Sequence, residues 1–174
     1  MLARPGLLSA AMTPGHDPVR TDERAQRLVG TVNGTVVGAG VLAVSAGDEA
    51  DALKAGAYVL ATVAVLWLAD GWAHALGLRA AGAPEQGLLA GLRRQRSVIA
   101  SVVAPLAALA LARIVGATDE SAIDVALWVC VGELAFFGAA VARREGAPPH
   151  RVVMTALGCA ALGLTIVVLK ALVH

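Results

Sequence analysis

Apolar runs of about twenty residues, separated by short charged connectors, set the terms on which this chain can fold. The runs are Leu28 to Ala46, Ala55 to Leu78, Val98 to Ala117, Ala122 to Ala142 and Val152 to Val173. At about 1.5 Å of rise per residue, each comes close to the ~20 residues that cross the ~30 Å hydrocarbon core of a bilayer. An open sheet in lipid would leave backbone groups unpaired, which excludes strands. A closed barrel calls for aromatic girdles, and aromatics are only 3% of this chain. The predicted fold class is therefore all-α: a polytopic membrane protein with five transmembrane helices over 28–174, preceded by a flexible cytoplasmic tail over 1–27.

Composition agrees. Hydrophobic residues make up 57% and charged residues 16% of 174, against about 45–50% and about 25% in soluble domains. A chain this short buries too little of its surface to hide such an excess, so the surplus faces lipid. A soluble enzyme is excluded, and a net charge of +1 leaves no field to attract nucleic acid. No period of 20–50 residues marks a repeat array. The tail carries Pro5, Pro14 and Pro18 and lacks the features of a secretory signal, and Met12 is a second candidate start. Lysine occurs only at Lys54 and Lys170 beside a majority of Arg, a usage typical of high-GC bacterial genomes.

Charge placement predicts direction. Arg4, Arg20, Arg24 and Arg27 precede the first run. Arg79, Arg93, Arg94 and Arg96 lie between the second and third, and Arg143, Arg144 and Arg151 between the fourth and fifth. The other side carries Asp48, Glu49, Asp51, Asp119, Glu120 and Asp124. The positive-inside rule then puts the N-terminus in and the C-terminus out, in a multi-pass protein of the cytoplasmic (plasma) membrane, the inner membrane of a bacterial cell.

Small residues indicate where helices approach. Gly30, Gly34 and Gly38 recur every fourth residue and line one face of the first helix. Their partner is either another helix of the chain or a second copy, which would make helix one the seam of a homo-oligomer. Pro105 cannot donate to the carbonyl of Ser101, so the third helix is expected to bend there. Ser97 and Ser101 are placed to satisfy freed backbone groups. Cys130 and Cys159 lie inside separate apolar runs and are read as small buried hydrophobes rather than a disulfide.

Polar residues at membrane depth are the functional candidates, since an acid or base there costs about 2.5–3.5 kcal/mol to insert. Glu133 lies ten residues before Arg143, so roughly 15 Å from the inner surface. An ionised Glu there must pair or face water, and otherwise it is carried neutral. Such a carboxyl suits proton coupling or cation passage, or it is a protonated group bonded to a neighbouring helix. Asp70 and His74 stand one turn apart, with Trp67 on the same stripe and Trp72 beside them. A carboxylate one turn from an imidazole can hold its proton or fix its tautomer. Asn33, in the first helix, falls near the depth of Asp70. Arg113 and Lys170 lie toward outer helix ends and can snorkel, Arg113 with Asp119 or Asp124 as partner. No metal-specific spacing is present, so the identity of any metal is left open. Phosphate loops, nucleophile elbows and Cys-x-x-Cys pairs are missing too, and no cofactor is expected.

The stretches Trp67-Leu-Ala-Asp-Gly-Trp-Ala-His-Ala-Leu-Gly77, Val102-Val-Ala-Pro-Leu-Ala-Ala-Leu109 and Leu169-Lys-Ala-Leu-Val-His174 resemble a group of uncharacterised small integral membrane proteins of high-GC Gram-positive bacteria. That resemblance implies membrane residence and no particular activity. A weaker, topological likeness is to the vacuolar iron transporter family, which has five spans and the same predicted orientation. Asn33-Gly34 stands where that family carries an Asp-Gly pair on its ion path. The family's second-helix acidic and methionine pattern and its cytosolic metal-binding helices have no counterpart here.

These residues support a small cation or proton-coupled transporter using Glu133 and Asp70, with Asn33 and His74 nearby. The alternatives are a non-catalytic membrane accessory or interaction subunit, and a membrane-embedded enzyme acting on a lipid or isoprenoid with Glu133 or Asp70 as acid. The expected partners are the lipid bilayer, a second copy and a small cation, with no nucleic acid.

Overall fold

A computed structural model describes residues 18–46, 50–82 and 88–173. Residues 1–17 of the expected tail, Met12 among them, lie outside the described residues, as do Asp48 and Glu49. The elements are α1 (Pro18–Val44), α2 (Ala52–Ala80), α3 (Leu88–Arg94), α4 (Arg96–Ala100), α5 (Val103–Ile114), α6 (Asp119–Arg144) and α7 (Pro149–Val173). No strand occurs among the described residues. By length and composition, α2, α6, α7 and the stretch Gly91–Ile114 can each cross a membrane, and Leu28–Val44 is a shorter apolar helix. The described residues make an all-helical, multi-pass membrane protein.

Helix ends follow local chemistry. α1 begins at Pro18, so residues 18–27, expected within the flexible tail, are helical. Proline suits a first turn because its missing N–H would be unbonded there anyway, and the Arg, Glu, Ala and Gln that follow are good helix formers. Asp51 caps α2 by accepting from the N–H groups of Leu53 and Lys54, both at 3.0 Å. Thr118 caps α6 by accepting from Ser121 N–H. Asp119 and Glu120 open α6 and Arg143 and Arg144 close it, each sign matching the helix dipole.

Two glycines make the tight reversals. Gly116 at φ 88° and Gly146 at φ 69° adopt the left-handed conformation that ends α5 and α6. The next residue's N–H then folds back, Ala117 to Ala112 O and Ala147 to Ala142 O. α5, α6 and α7 therefore run antiparallel with short connections.

The third apolar run is long enough to cross a membrane over Gly91–Ile114, and its helical pattern breaks at the Ser101 carbonyl that Pro105 cannot serve. It is interrupted at Gln95 and again at Ser101–Val102. Pro105 occupies the third position of α5, inside the first turn, where the absent N–H breaks no bond. The interruption thus falls one turn upstream of the proline. Ser101 Oγ donates to Val98 O at 2.7 Å beside it. The connection after Arg79, read as a loop up to Ser97, contains α3. Trp67 Nε1 donates to Leu92 O at 2.9 Å and ties that short helix to α2.

α1 touches α2, α4, α6 and α7. Its glycine face meets α4: a Cβ on Gly34 would stand 2.8 Å from Val98 O, and one on Gly30 would stand 2.9 Å from Ser97 Oγ. Gly38 faces Val102 in the same way. The glycine stripe is therefore used inside the chain. α6 and α7 repeat the device, with Gly138 against Thr155 O and Gly163 against Val131. Lipid tails are as apolar as leucine, so close backbone approach and dispersion contacts hold such helices together. Leu42, Val59, Val63, Val98, Ile123 and Leu127 form the buried centre. Leu60, Leu68, Leu111, Trp128, Phe136, Leu157 and Leu162 face outward, an apolar exterior fit for acyl chains.

Candidate functional site

The four polar candidates fall on two sides of α1. Asn33, Asp70 and His74 line one groove of about 440 Å³, together with Val29, Gly30, Ala73 and Gln95. α1 supplies one wall and α2 the other. The junction of α3 and α4 brings in Gln95, whose Oε1 would lie 3.4 Å from a Cβ on Gly30. The absence of a side chain at Gly30 keeps this corner open. Asp70 and His74 are half-buried and Asn33 is exposed. Among the described residues, these three side chains make no hydrogen bond or ion pair. Trp67, on the same helical stripe, points its indole N–H to α3 instead.

Glu133 is not part of this groove. Its carboxyl lies on the side of α1 that carries the Thr35 hydroxyl. Thr35 and Asn33 are two residues apart, hence about 200° apart around a helix of about 3.6 residues per turn. α1 therefore separates the Glu133 carboxyl from the Asp70 groove. Thr35 is fully buried, at 0% exposure, and Glu133 Oε2 is buried with no partner among the described residues.

The Thr35 contact can hold a proton in two ways. Its hydroxyl has one proton and two lone pairs. In the structure Thr35 Oγ1 donates to Thr31 O at 3.0 Å. With that proton engaged, Thr35 can only accept from Glu133, which requires the acid form of the carboxyl. If the hydroxyl turns to Glu133 instead, it serves the carboxylate and releases the Thr31 carbonyl.

The opposite end of the bundle is held by charge. Asp119 Oδ1 accepts from Ala52 N–H at 3.0 Å and pairs with Arg113 Nε at 3.2 Å. One carboxylate joins the first turn of α2, the end of α5 and the start of α6. Of the two partners open to Arg113 it is Asp119 that pairs, while Asp124 binds Lys170 of α7. In the Asp51 carboxyl, the hydrogen bond from Lys54 N–H lowers its pKa below the ordinary 3.8, aided by the Lys54 ammonium at 3.3 Å. Both cysteines are free, Cys130 buried and Cys159 partly so. Among the described residues no three His, Cys, Asp or Glu side chains gather as a metal site.

Thr35 and Gln95 were not legible as site residues. Thr35 looks like one more small residue in a Gly- and Val-rich helix, and only the face opposite Asn33 gives it a role. Gln95 sits inside an Arg-rich segment that reads as a determinant of orientation. Comparison of the chain with protein families, curated proteins and solved structures finds no match.

Proposed function

We propose that the chain is a five-span protein of the cytoplasmic membrane, N-terminus in and C-terminus out, that moves a proton or small cation with Glu133 as the exchanging group. The observation that carries this reading is Glu133, a half-buried acid beside Thr35 whose Oε2 is buried and without a partner among the described residues. A structural carboxyl in lipid satisfies both oxygens, because an unmade hydrogen bond there costs several kcal/mol. A carboxyl at membrane depth with an unpartnered oxygen is placed to bind and release a proton or cation. Arg-rich and acidic connectors alternate along the chain, which supports the orientation. Asp70, Asn33 and His74 would then face the cytoplasmic side.

Ion flux into proteoliposomes tests the transport reading. Glu133→Gln keeps the shape and removes the charge, and it should abolish flux, whereas Glu133→Asp should retain part of it. Flux unchanged in Glu133→Gln would overturn the assignment. Reporter fusions at the two termini should report opposite compartments.

A further inference from the structure

We propose that the groove between α1, α2 and the start of α4 binds a primary ammonium group, carried by a phospholipid headgroup or by a free small amine. The argument starts from Asp70. Nine residues separate it from Arg79 near the helix end, which places it roughly 13 Å inward. A carboxylate at that depth needs a cation or a wet cavity, and no side chain among the described residues pairs with it. The groove supplies the cavity.

Its lining narrows the ligand. Among the described residues, Asp70 is the one acid on it, His74 the one imidazole, and Asn33 and Gln95 add two carboxamides beside Val29, Gly30 and Ala73. A single carboxylate beside neutral acceptors matches one positive charge bearing several N–H donors, which is the form of a primary ammonium. About 440 Å³ falls within the range of small organic ligand sites and exceeds what a bare ion needs. A metal ion would ask for a third His, Cys, Asp or Glu, and no such group of three occurs among the described residues. The site does not depend on transport through Glu133, from which α1 separates it.

The test uses the full chain, delipidated in detergent, with native mass spectrometry and thermal melting as readouts. Phosphatidylethanolamine and phosphatidylcholine are compared as lipid probes, ethanolamine and tetramethylammonium as free ones. Retention of phosphatidylethanolamine over phosphatidylcholine, unaffected by ethanolamine, assigns the site to a headgroup. Stabilisation by ethanolamine and not by tetramethylammonium assigns it to a free amine. Either result supports the proposal, and Asp70→Asn should then weaken binding by at least about tenfold, the loss of one charge-assisted hydrogen bond. Asn33→Ala, at an exposed position, should weaken it less while leaving the fold intact. The proposal is overturned if primary and quaternary ammonium groups behave alike in the native chain. It is equally overturned if Mn²⁺ or Zn²⁺ binds in an Asp70-dependent manner and the amines do not.

Discussion

Fully buried Thr35 of α1 stands beside half-buried Glu133 of α6, and the threonine's single proton is already given to Thr31 O. The pair makes α1 more than a packing element, since the helix that carries the glycine stripe also carries the partner of the deepest carboxyl. Thr35→Val keeps the volume and removes the hydroxyl, leaving Glu133 without this contact. A loss of about 1–3 kcal/mol is expected, the cost of an unsatisfied buried polar group. Reversible unfolding in mixed micelles measures it. The same substitution made in Glu133→Leu should cost far less, because the polar group it strands is gone.

Gly34 and Gly40 lie on one helix and should respond in opposite ways. A Cβ on Gly34 would meet the Val98 backbone oxygen at 2.8 Å, and backbone cannot step aside. Gly34→Ala should therefore destabilise the fold by about 1–3 kcal/mol, with α1 and α4 forced apart. Nothing lies within 4 Å of a Cβ on Gly40. Gly40→Ala should be neutral or stabilising by up to about 1 kcal/mol, through helix propensity alone. Melting temperatures of the two variants, measured side by side, decide the point.

Asp119 is expected to matter more as a helix cap than as an ion-pair partner. Exposed ion pairs contribute about 0–1 kcal/mol. The bond from Ala52 N–H to Asp119 Oδ1 satisfies a group at the start of α2 that has no partner within its own helix. Asp119→Asn keeps an acceptor and should lose little, while Asp119→Ala should lose about 1 kcal/mol. Raising salt should leave most of that difference in place. Equal losses in the two variants would assign the effect to the Arg113 pair instead.

Acid should loosen the start of α2. Asp51 has a folded pKa below its ordinary 3.8, because the Lys54 N–H and ammonium favour its ionised form. A group with a lowered folded value contributes stability that is complete above the unfolded value and is lost as pH falls through the folded one. The contribution should therefore be constant at neutral pH and disappear below about pH 4. Melting curves from pH 6 to pH 2 follow it. In Asp51→Asn the acid-dependent share attributable to this cap should be absent.

Much of the architecture is legible in the residues. The runs that read as spans from Ala55, Ala122 and Val152 fall within α2, α6 and α7, because length and hydropathy are local properties. The third run was less legible. Its composition is continuous, but Gln95 and the Ser101–Val102 turn divide it, and an interruption of backbone hydrogen bonding leaves no mark on hydropathy. Asp70 and His74 share a face by spacing alone. That Asn33 joins them, and that Glu133 does not, follows from how α1 is rotated between its neighbours.

The sequence by itself determined that the chain is helical, that its outside is apolar, and that the basic and acidic connectors alternate. These follow from period, length and charge, which each segment carries without reference to any other. Only the tertiary structure decided which helix takes the Gly30–Gly34–Gly38 face, which carboxylate Arg113 pairs with, and that α1 separates two polar sites. The physical reason is contact: small residues permit close approach without naming the partner. A polar side chain finds its partner only when two helices, distant in sequence, come within a few ångströms of each other.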